Sequence, residues 1–175
     1  MSKKIILWSG MLILVVSAGF WLFWPSEEDR IQDQFDELAT LASKTGNASS
    51  LSDALVLKEF GNLFSANVVF KTGGRGRIAG EYTDRELVER YGSFRFFAKR
   101  LELRFEEFEF LAIQENEARV NVRVLDEGTD KGGNLYSENF RVEVLLQKSG
   151  GDWKFSQFSY LDSSTSKHAP SIFRR

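Results

Sequence analysis

Acid–base chemistry inside an apolar site needs a carboxyl, imidazole or phenol group whose pKa is shifted by its surroundings. In this chain of 175 residues, Glu138 shares the alternation of Phe140 and Val142 in a strand-like segment. Its carboxyl is therefore predicted to point inward or to lie at the rim of a core. Tyrosines that are also predicted to face inward could act as proton donors: Tyr82, Tyr91, Tyr136 and Tyr160. The candidates for catalysis are Glu138, Tyr136 and Tyr82.

The alternative interpretation of these residues is structural. A carboxylate that is buried without a partner is costly, so Glu138 could equally lie at the end of its strand in water. The tyrosine rings could be core residues whose hydroxyl groups reach solvent. The residues alone therefore leave open whether the protein is an enzyme.

Composition excludes several other kinds of site. The single histidine, His168, lies beyond the last strand-like segment, which excludes a histidine-dependent site within the domain. The absence of cysteine excludes thiol nucleophiles and thiolate–zinc sites. No carboxylates occur at metal-ligand spacing with histidine, so we expect neither a metal nor another cofactor. With 23 Lys and Arg against 25 Asp and Glu, the chain lacks the basic surface of a nucleic-acid-binding protein.

The N-terminal segment predicts one membrane span. Ile5–Trp24 is a run of twenty residues without a charge, which is long enough to cross a bilayer as a helix. Lys3 and Lys4 precede it, so the N-terminus is expected in the cytoplasm and the rest of the chain outside it, in the periplasm if the source is bacterial. The alternative is a signal peptide that is cleaved to give a secreted protein.

The remaining chain predicts three helices and then four long strands. Apolar residues recur at helical spacing over Ser26–Ala42, Leu51–Phe64 and Thr83–Arg100, and the first and third segments begin with a capping box. A short hairpin separates the second and third helices, with Gly73–Arg77 as its turn rather than as a phosphate-binding loop, because it joins two strands. Helices that precede an antiparallel sheet indicate the α+β class.

An irregular alternation predicts that the sheet is bent. Leu101, Leu103 and Phe105 are odd-numbered, whereas Phe108 and Phe110 are even-numbered. One extra residue must therefore lie at Glu106–Glu107, which is typical of a β-bulge. The last strand shows the same change of parity after Phe155. A strongly curved sheet is expected, with the helices on its concave side.

Three segments carry a resemblance to a known family. They are LFSANVVF at Leu63–Phe70, GEYT at Gly80–Thr83 and GDWKF at Gly151–Phe155. In order and spacing they resemble the nuclear transport factor 2-like superfamily, also called SnoaL-like or cystatin-like, over Asp29–Leu161. The resemblance implies a cone-shaped barrel at residues 26–162. The sequence pattern predicts a cytoplasmic stub and transmembrane helix at 1–25 before it and a disordered tail at 163–175 after it.

The same resemblance bears on function without deciding it. Enzymes of this superfamily work inside the cone, so the resemblance implies that this is where a ligand would bind, and other members are assembly subunits. The pocket is expected to be lined or filled by aromatic side chains: Phe35, Phe60, Phe64, Tyr91, Phe94, Phe105, Phe108, Phe140 and Phe155. Because so many rings leave little free volume, the sequence favours a non-catalytic domain that binds a protein or a small apolar ligand. The alternative is a small-molecule enzyme of isomerase, dehydratase or hydrolase type.

Charged residues on the outer face of the sheet suggest one further partner. Glu107, Arg123 and Arg141 are predicted on neighbouring strands with complementary charges. Such a ladder keeps an exposed sheet soluble. The resemblance implies the alternative, which is a homodimer or a protein complex that forms through this face.

Overall fold

The computed structural model describes residues 25–45, 50–71 and 79–164. The predicted membrane span at Ile5–Trp24, the turn at Gly73–Arg77 and the tail from residue 165 onward lie outside these ranges. Among the described residues, none of the helices has both the length and the apolar character needed to cross a membrane.

Three helices occur in the described ranges: α1 (Glu27–Ala42), α2 (Ser50–Asn62) and α3 (Asp84–Phe97). Both predicted capping boxes are present, at Ser26 with Asp29 and at Thr83 with Glu86. Each pair satisfies two backbone N–H groups that the first turn would otherwise leave without a partner. The starts of α1 and α3 were therefore each predictable from four residues.

The predicted ends of α2 and α3 were wrong by two or three residues. The α2 helix stops at Asn62 rather than Phe64, because the Leu63 carbonyl already accepts a hydrogen bond from Phe155 N of the sheet at 2.9 Å. The α3 helix stops at Phe97 rather than Arg100, where the chain enters a strand. Tertiary pairing therefore ends both helices earlier than their apolar spacing suggests.

The sheet has seven strands in the order β1-β4-β5-β6-β7-β2-β3. Their bounds are β1 (Lys44–Thr45), β2 (Phe64–Lys71), β3 (Gly80–Thr83), β4 (Ala98–Ile113), β5 (Glu117–Asp130), β6 (Leu135–Ser149) and β7 (Asp152–Ser164). The predicted antiparallel pairing is confirmed for the four long strands β4 to β7, whereas β2 and β7 pair in parallel. The β7 strand also continues to Ser164, so the predicted boundary at residue 162 falls inside it.

The predicted bulge in β4 is confirmed. The β4–β5 register shifts between Glu106 and Glu109, and Glu107 has a φ of 55°. In β7 the register shifts at Ser156, whose hydroxyl donates to the Leu145 carbonyl at 3.0 Å. These irregularities bend the sheet around the helices, which gives the expected α+β arrangement with a concave face.

The centre of the concave side is packed with aromatic rings. Phe35 of α1 is fully buried. Its ring centroid lies 5.0 Å from those of Phe105 and Phe155 and 5.2 Å from that of Phe108, in edge-to-face arrangements. Such contacts fill space and contribute about 0.5–1.5 kcal/mol each beyond the area they bury. The α1 helix therefore inserts its aromatic side chain where an open cone would have a cavity.

Candidate functional site

Two carboxylates lie opposite each other on the concave face, where the alternation of the buried strands continues. In β5, Asp126 follows Val120 and Val124, which are 0% and 4% exposed. In β6, Glu138 precedes the buried Val142 on the same face. The two acidic residues are direct partners in the β5–β6 register, and both are half-buried.

Tyr136 completes this group, which we call the inner-face cluster (Asp126, Tyr136 and Glu138). Tyr136 is 9% exposed and packs against Ala98 and Leu101. Its hydroxyl group is buried and has no hydrogen-bond partner among the described residues. The Asp126 carboxylate lies close enough to the phenol to raise its pKa.

The surroundings of Tyr136 keep its hydroxyl group protonated. Burial raises the pKa of Tyr136 well above its usual range, and the charge and proximity of Asp126 and the charge of Glu138 raise it further. Each of these effects disfavours a phenolate. At neutral pH the side chain can therefore donate or accept a hydrogen bond but cannot carry charge.

A second polar group, built around Arg95, adjoins the cluster. Arg95 is 7% exposed and donates from Nε to Asp53 at 3.0 Å. Its Nη1 donates to the Ser43 carbonyl at 2.7 Å and to the Tyr91 hydroxyl at 3.0 Å. Tyr91 in turn donates to the Ala42 carbonyl at 2.9 Å. Burial raises the pKa of Tyr91, although the hydrogen bond from Arg95 opposes the shift.

The side chains of this second group cap the C-terminal end of α1, and the neighbouring Lys44 caps that of α3. The carbonyls that Arg95 and Tyr91 bind belong to the last turn of α1 and to Ser43 behind it. Lys44 caps the C-terminal end of α3: its Nζ donates to the carbonyls of Arg95 and Ala98 at 3.0 and 3.1 Å. These carbonyls have no partner within their helices, so the role of this group is structural.

Two of the three candidates for catalysis lie together, and the third lies elsewhere. Tyr136 and Glu138 share the inner-face cluster, as their common parity suggested. Tyr82 does not join them: it lies in the edge strand β3, donates to the Ala79 carbonyl at 3.5 Å and has the Arg90 guanidinium 4.7 Å from its ring. Tyr160 of β7 packs against Phe140, with ring centroids 5.3 Å apart.

The aromatic residues predicted to line or fill a pocket form the core. Phe35, Phe60, Phe64 and Phe155 are buried. The other five pack against these or against Tyr136: Tyr91, Phe94, Phe105, Phe108 and Phe140. Their rings touch one another, as in the stack of Phe60 on Tyr91 at 4.2 Å. In the described part of the chain these residues fill the hollow more than they line it.

Sequence reasoning missed Asp126, Arg95 and the role of Gly128. Asp126 continues the even-numbered alternation of Val120 and Val124, although the glycines that follow it are typical of a turn. Arg95 lies four residues after Tyr91, a spacing that places two side chains together on a helix. Gly128 lies directly opposite Tyr136, a relation between strands that no local pattern contains.

The outer face of the sheet carries the predicted ion pairs. Glu107 accepts from Arg123 and from Arg141, each at 2.8 Å, and these two arginines are partners in the β5–β6 register. A shallow groove of about 330 Å³ lies near the ends of β4, β5 and β6, and its lining includes Tyr136 of the inner-face cluster and the exposed Leu135.

Comparison with known proteins identifies the fold. No model of a protein family matches the sequence, and no curated protein is similar to it in sequence. A ketosteroid isomerase-like protein of Erwinia carotovora atroseptica is 18% identical, with a TM-score of 0.55 over 79% of this chain and 99% of that one. Hexachlorocyclohexane dehydrochlorinase of Novosphingobium barchaimii is 11% identical, with a TM-score of 0.59 over 79% and 87%. A Kribbella flavida protein is 10% identical, with a TM-score of 0.64 over 79% and 90%. At these identities the similarity establishes the nuclear transport factor 2-like fold alone.

Proposed function

We propose that this chain, whose fold is of the nuclear transport factor 2-like type, is a membrane-tethered domain that binds or assembles and does not catalyse. Its N-terminus lies in the cytoplasm and the folded domain outside it. The uncharged run Ile5–Trp24 supports the tether. The α1 helix begins at Glu27, so only Pro25 and Ser26 separate the proposed span from the domain.

The observation that carries the non-catalytic role is the filled concave side. A substrate in this fold needs free volume above the sheet, and typical ligand sites enclose several hundred Å³. Here Phe35 occupies that region at contact distance from Phe105, Phe108 and Phe155. Binding through the outer face of the sheet, to a second copy or to another protein, needs no such volume.

Binding of a neutral apolar probe tests whether the concave side is filled. The full chain in lipid nanodiscs is titrated with indole by calorimetry, beside Phe105→Ala, which vacates the space next to Phe35. We expect no binding to the wild type and measurable binding to Phe105→Ala, since an apolar void accepts apolar ligands. Stoichiometric binding to the wild type would reject the filled core and favour a ligand-binding role.

A reporter fusion tests the orientation. Alkaline phosphatase fused after Trp24 is expected to be active, because this enzyme requires an oxidising compartment outside the cytoplasm. An inactive fusion would contradict the proposal. The mass of the mature chain separates the tether from the alternative: a full-length mass indicates an anchor, and loss of the N-terminal residues indicates a cleaved signal peptide.

A second candidate function is that of a small-molecule enzyme, which the buried and unpartnered hydroxyl of Tyr136 favours. A carboxylate of Asp126 or Glu138 would remove a proton next to a carbonyl group, and Tyr136 would donate a hydrogen bond to the resulting enolate oxygen. Two proteins of similar structure, an isomerase-like protein and a dehydrochlorinase, support this candidate.

Hydrogen–deuterium exchange in a simple ketone distinguishes the two candidates. The full chain is incubated with cyclohexenone in heavy water, and exchange next to the carbonyl is followed by NMR. An enzyme would accelerate the exchange, and Glu138→Gln or Tyr136→Phe would abolish the acceleration. A wild-type rate equal to that of buffer rejects proton abstraction from ketones of this type.

A further inference from the structure

One side of β4 has a strand partner over only a small part of its length. In the described ranges, the only strand on the side away from β5 is the two-residue strand β1, which pairs at Arg100 and Leu101. Further along the same side, the Leu103 N–H group donates to the Ser43 hydroxyl at 3.1 Å. Beyond this point no described strand pairs with that side of β4. We call residues 104–113 of β4 the free edge.

The free edge can take an added strand through its backbone groups. Successive residues of a strand direct their N–H and C=O groups to opposite sides. Because the Leu103 N–H group points away from β5, the backbone groups of Phe105 point the same way. Unpaired groups of this kind are a template for another strand, which binds through main-chain hydrogen bonds. The β4–β5 register shifts at two places beyond Phe105, and because bulges restrict pairing at an edge, only a short segment fits.

The two rows of side chains along the free edge differ in chemistry. On the inner side, Phe105, Phe108 and Phe110 are half-buried and pack against the core. On the outer side, Glu106 and Glu109 are exposed. Side chains of an added strand also alternate between the two sides of a sheet. Such a strand would therefore meet aromatic rings on one side and carboxylates on the other.

The surroundings of the free edge are acidic. Residues 105–113 contain three acidic residues and no basic one, although Arg123 and Arg141 already bind Glu107. The helix α1, which packs on β4 through Phe35, is acidic as well: it contains Glu27, Glu28, Asp29, Asp33, Asp36 and Glu37 against Arg30 alone. A second copy of the chain would bring two acidic edges together, and like charges on paired strands repel each other. The charges therefore favour a basic partner.

We propose that the free edge binds a short extended segment of another protein in which apolar residues alternate with lysine or arginine. The segment joins the sheet through main-chain hydrogen bonds, which supply affinity without requiring a cavity. Its apolar side chains cover Phe105, Phe108 and Phe110, and its cations lie beside Glu106 and Glu109. This inference rests on the proposed binding function and adds to it a second surface and the kind of partner that it fits.

Calorimetric titration of the full chain in an uncharged detergent, with a short peptide of alternating valine and lysine, tests the proposal. We expect saturable binding of one peptide per chain. Two matched peptides separate the contributions: one has glutamate in place of lysine, and the other keeps the side chains but has N-methylated backbone amides. Each should bind at least tenfold more weakly, because the first is repelled and the second cannot donate main-chain hydrogen bonds.

Reversal of charge at the free edge tests where the peptide binds. The double variant Glu106→Lys with Glu109→Lys should weaken binding of the lysine peptide at least tenfold at low ionic strength. The matched control is Glu59→Lys with Glu89→Lys, which changes the net charge equally at exposed positions of α2 and α3. The control should alter the affinity less than twofold. Circular dichroism checks that both variants are folded.

Hydrogen exchange locates the contact and completes the test. The amide of Phe105 should exchange rapidly without the peptide and more slowly with it, since its N–H group gains a partner. Equally slow exchange without the peptide would show that the edge is already covered and would overturn the proposal. Absence of binding overturns it as well, as does equal binding of the N-methylated peptide or an equal loss in the control variant. Indole binding to the wild type would reject the filled core and leave the free edge untouched, so failure of one proposal is distinguishable from failure of the other.

Discussion

Gly128 and Tyr136 form a cross-strand pair in which only glycine fits beneath the ring. A Cβ atom at residue 128 would lie 2.4 Å from both Cζ and Oη of Tyr136. Real side chains do not approach so closely. The missing side chain of Gly128 therefore decides where the hydroxyl of Tyr136 lies relative to Asp126.

Gly128→Ala should destabilise the protein because the ring of Tyr136 must move. We expect the free energy of unfolding to fall by about 2 kcal/mol, the usual effect of overpacking. Denaturant unfolding of the full chain, followed by circular dichroism, measures the change. In a Tyr136→Ala background the collision is absent, and the same substitution should cost less than about 0.5 kcal/mol. An equal cost in both backgrounds would refute this explanation.

At the scale of elements, polar contacts hold the two ends of α1 in place. The start of α1 is tied to the β6–β7 hairpin, where Glu27 Oε2 accepts from Lys148 Nζ at 2.9 Å and from Trp153 Nε1 at 2.8 Å. The end of α1 is tied to α3 through Arg95. Each contact satisfies a polar group that packing alone would leave without a partner.

Arg95→Leu should lower stability because it removes the donor to the Leu41 and Ser43 carbonyls and leaves Asp53 without this ion pair. We expect a loss of about 3 kcal/mol in the free energy of unfolding, since one partner of a largely buried pair is removed. Thermal and denaturant unfolding measure it. The matched control is Arg85→Leu on the same helix, where the side chain is 87% exposed. A similar loss in both variants would contradict a specific role for Arg95.

The contact of Glu27 predicts a pH-dependent contribution to stability. The hydrogen bond from Lys148 is the main cause that lowers the pKa of Glu27 below 4.5, burial opposes it, and the bond from Trp153 adds to the lowering. The stabilisation is therefore fully present above the unfolded-state pKa and is lost as the pH falls through the lower folded-state pKa.

Glu27→Gln should consequently reduce the free energy of unfolding at neutral pH, by less than about 1 kcal/mol because the pair is partly exposed. In acid below the folded-state pKa, the variant and the wild type should be equally stable. Denaturant unfolding across this pH range gives the comparison. Glu28→Gln, in the same helical turn but exposed, should show no such pH-dependent difference from the wild type.

At the scale of the whole molecule, the bulge at Glu107 links the curvature of the sheet to the chemistry of its outer face. The backbone of Glu107 has positive φ, and its carboxylate lies between Arg123 and Arg141 of the next two strands. One residue thus bends the sheet and separates two like charges. We propose this face as the pairing surface, because its alternating charges are complementary to a second copy of themselves.

Glu107→Lys should prevent such pairing by placing three cations together. We expect the full chain in detergent to have the mass of a dimer by light scattering, after correction for the micelle, and the variant to have the mass of a monomer. Circular dichroism checks that the variant is folded. A monomeric wild type would contradict pairing through this face, and so would a dimer that persists in the variant.

Local patterns predicted those features of the fold that depend on neighbours in sequence. The capping boxes at Ser26 and Thr83 and the bulge at Glu106–Glu107 follow from spacing within a few residues. The inward direction of Glu138 followed from alternation as well. The ends of α2 and α3 were not predictable in the same way, because pairing with distant strands ends them.

The sequence by itself determined the three helices, the long curved strands and the ion pairs of the outer face, since periodicity records which side of an element is buried. Only the tertiary structure decided that β2 runs parallel to β7, that Phe35 fills the hollow, and that Asp126 lies opposite Glu138. These relations join residues distant along the chain, and register between strands sets them. Because alternation gives the face of a residue but not its partner, the inner-face cluster emerged only when the strands were paired.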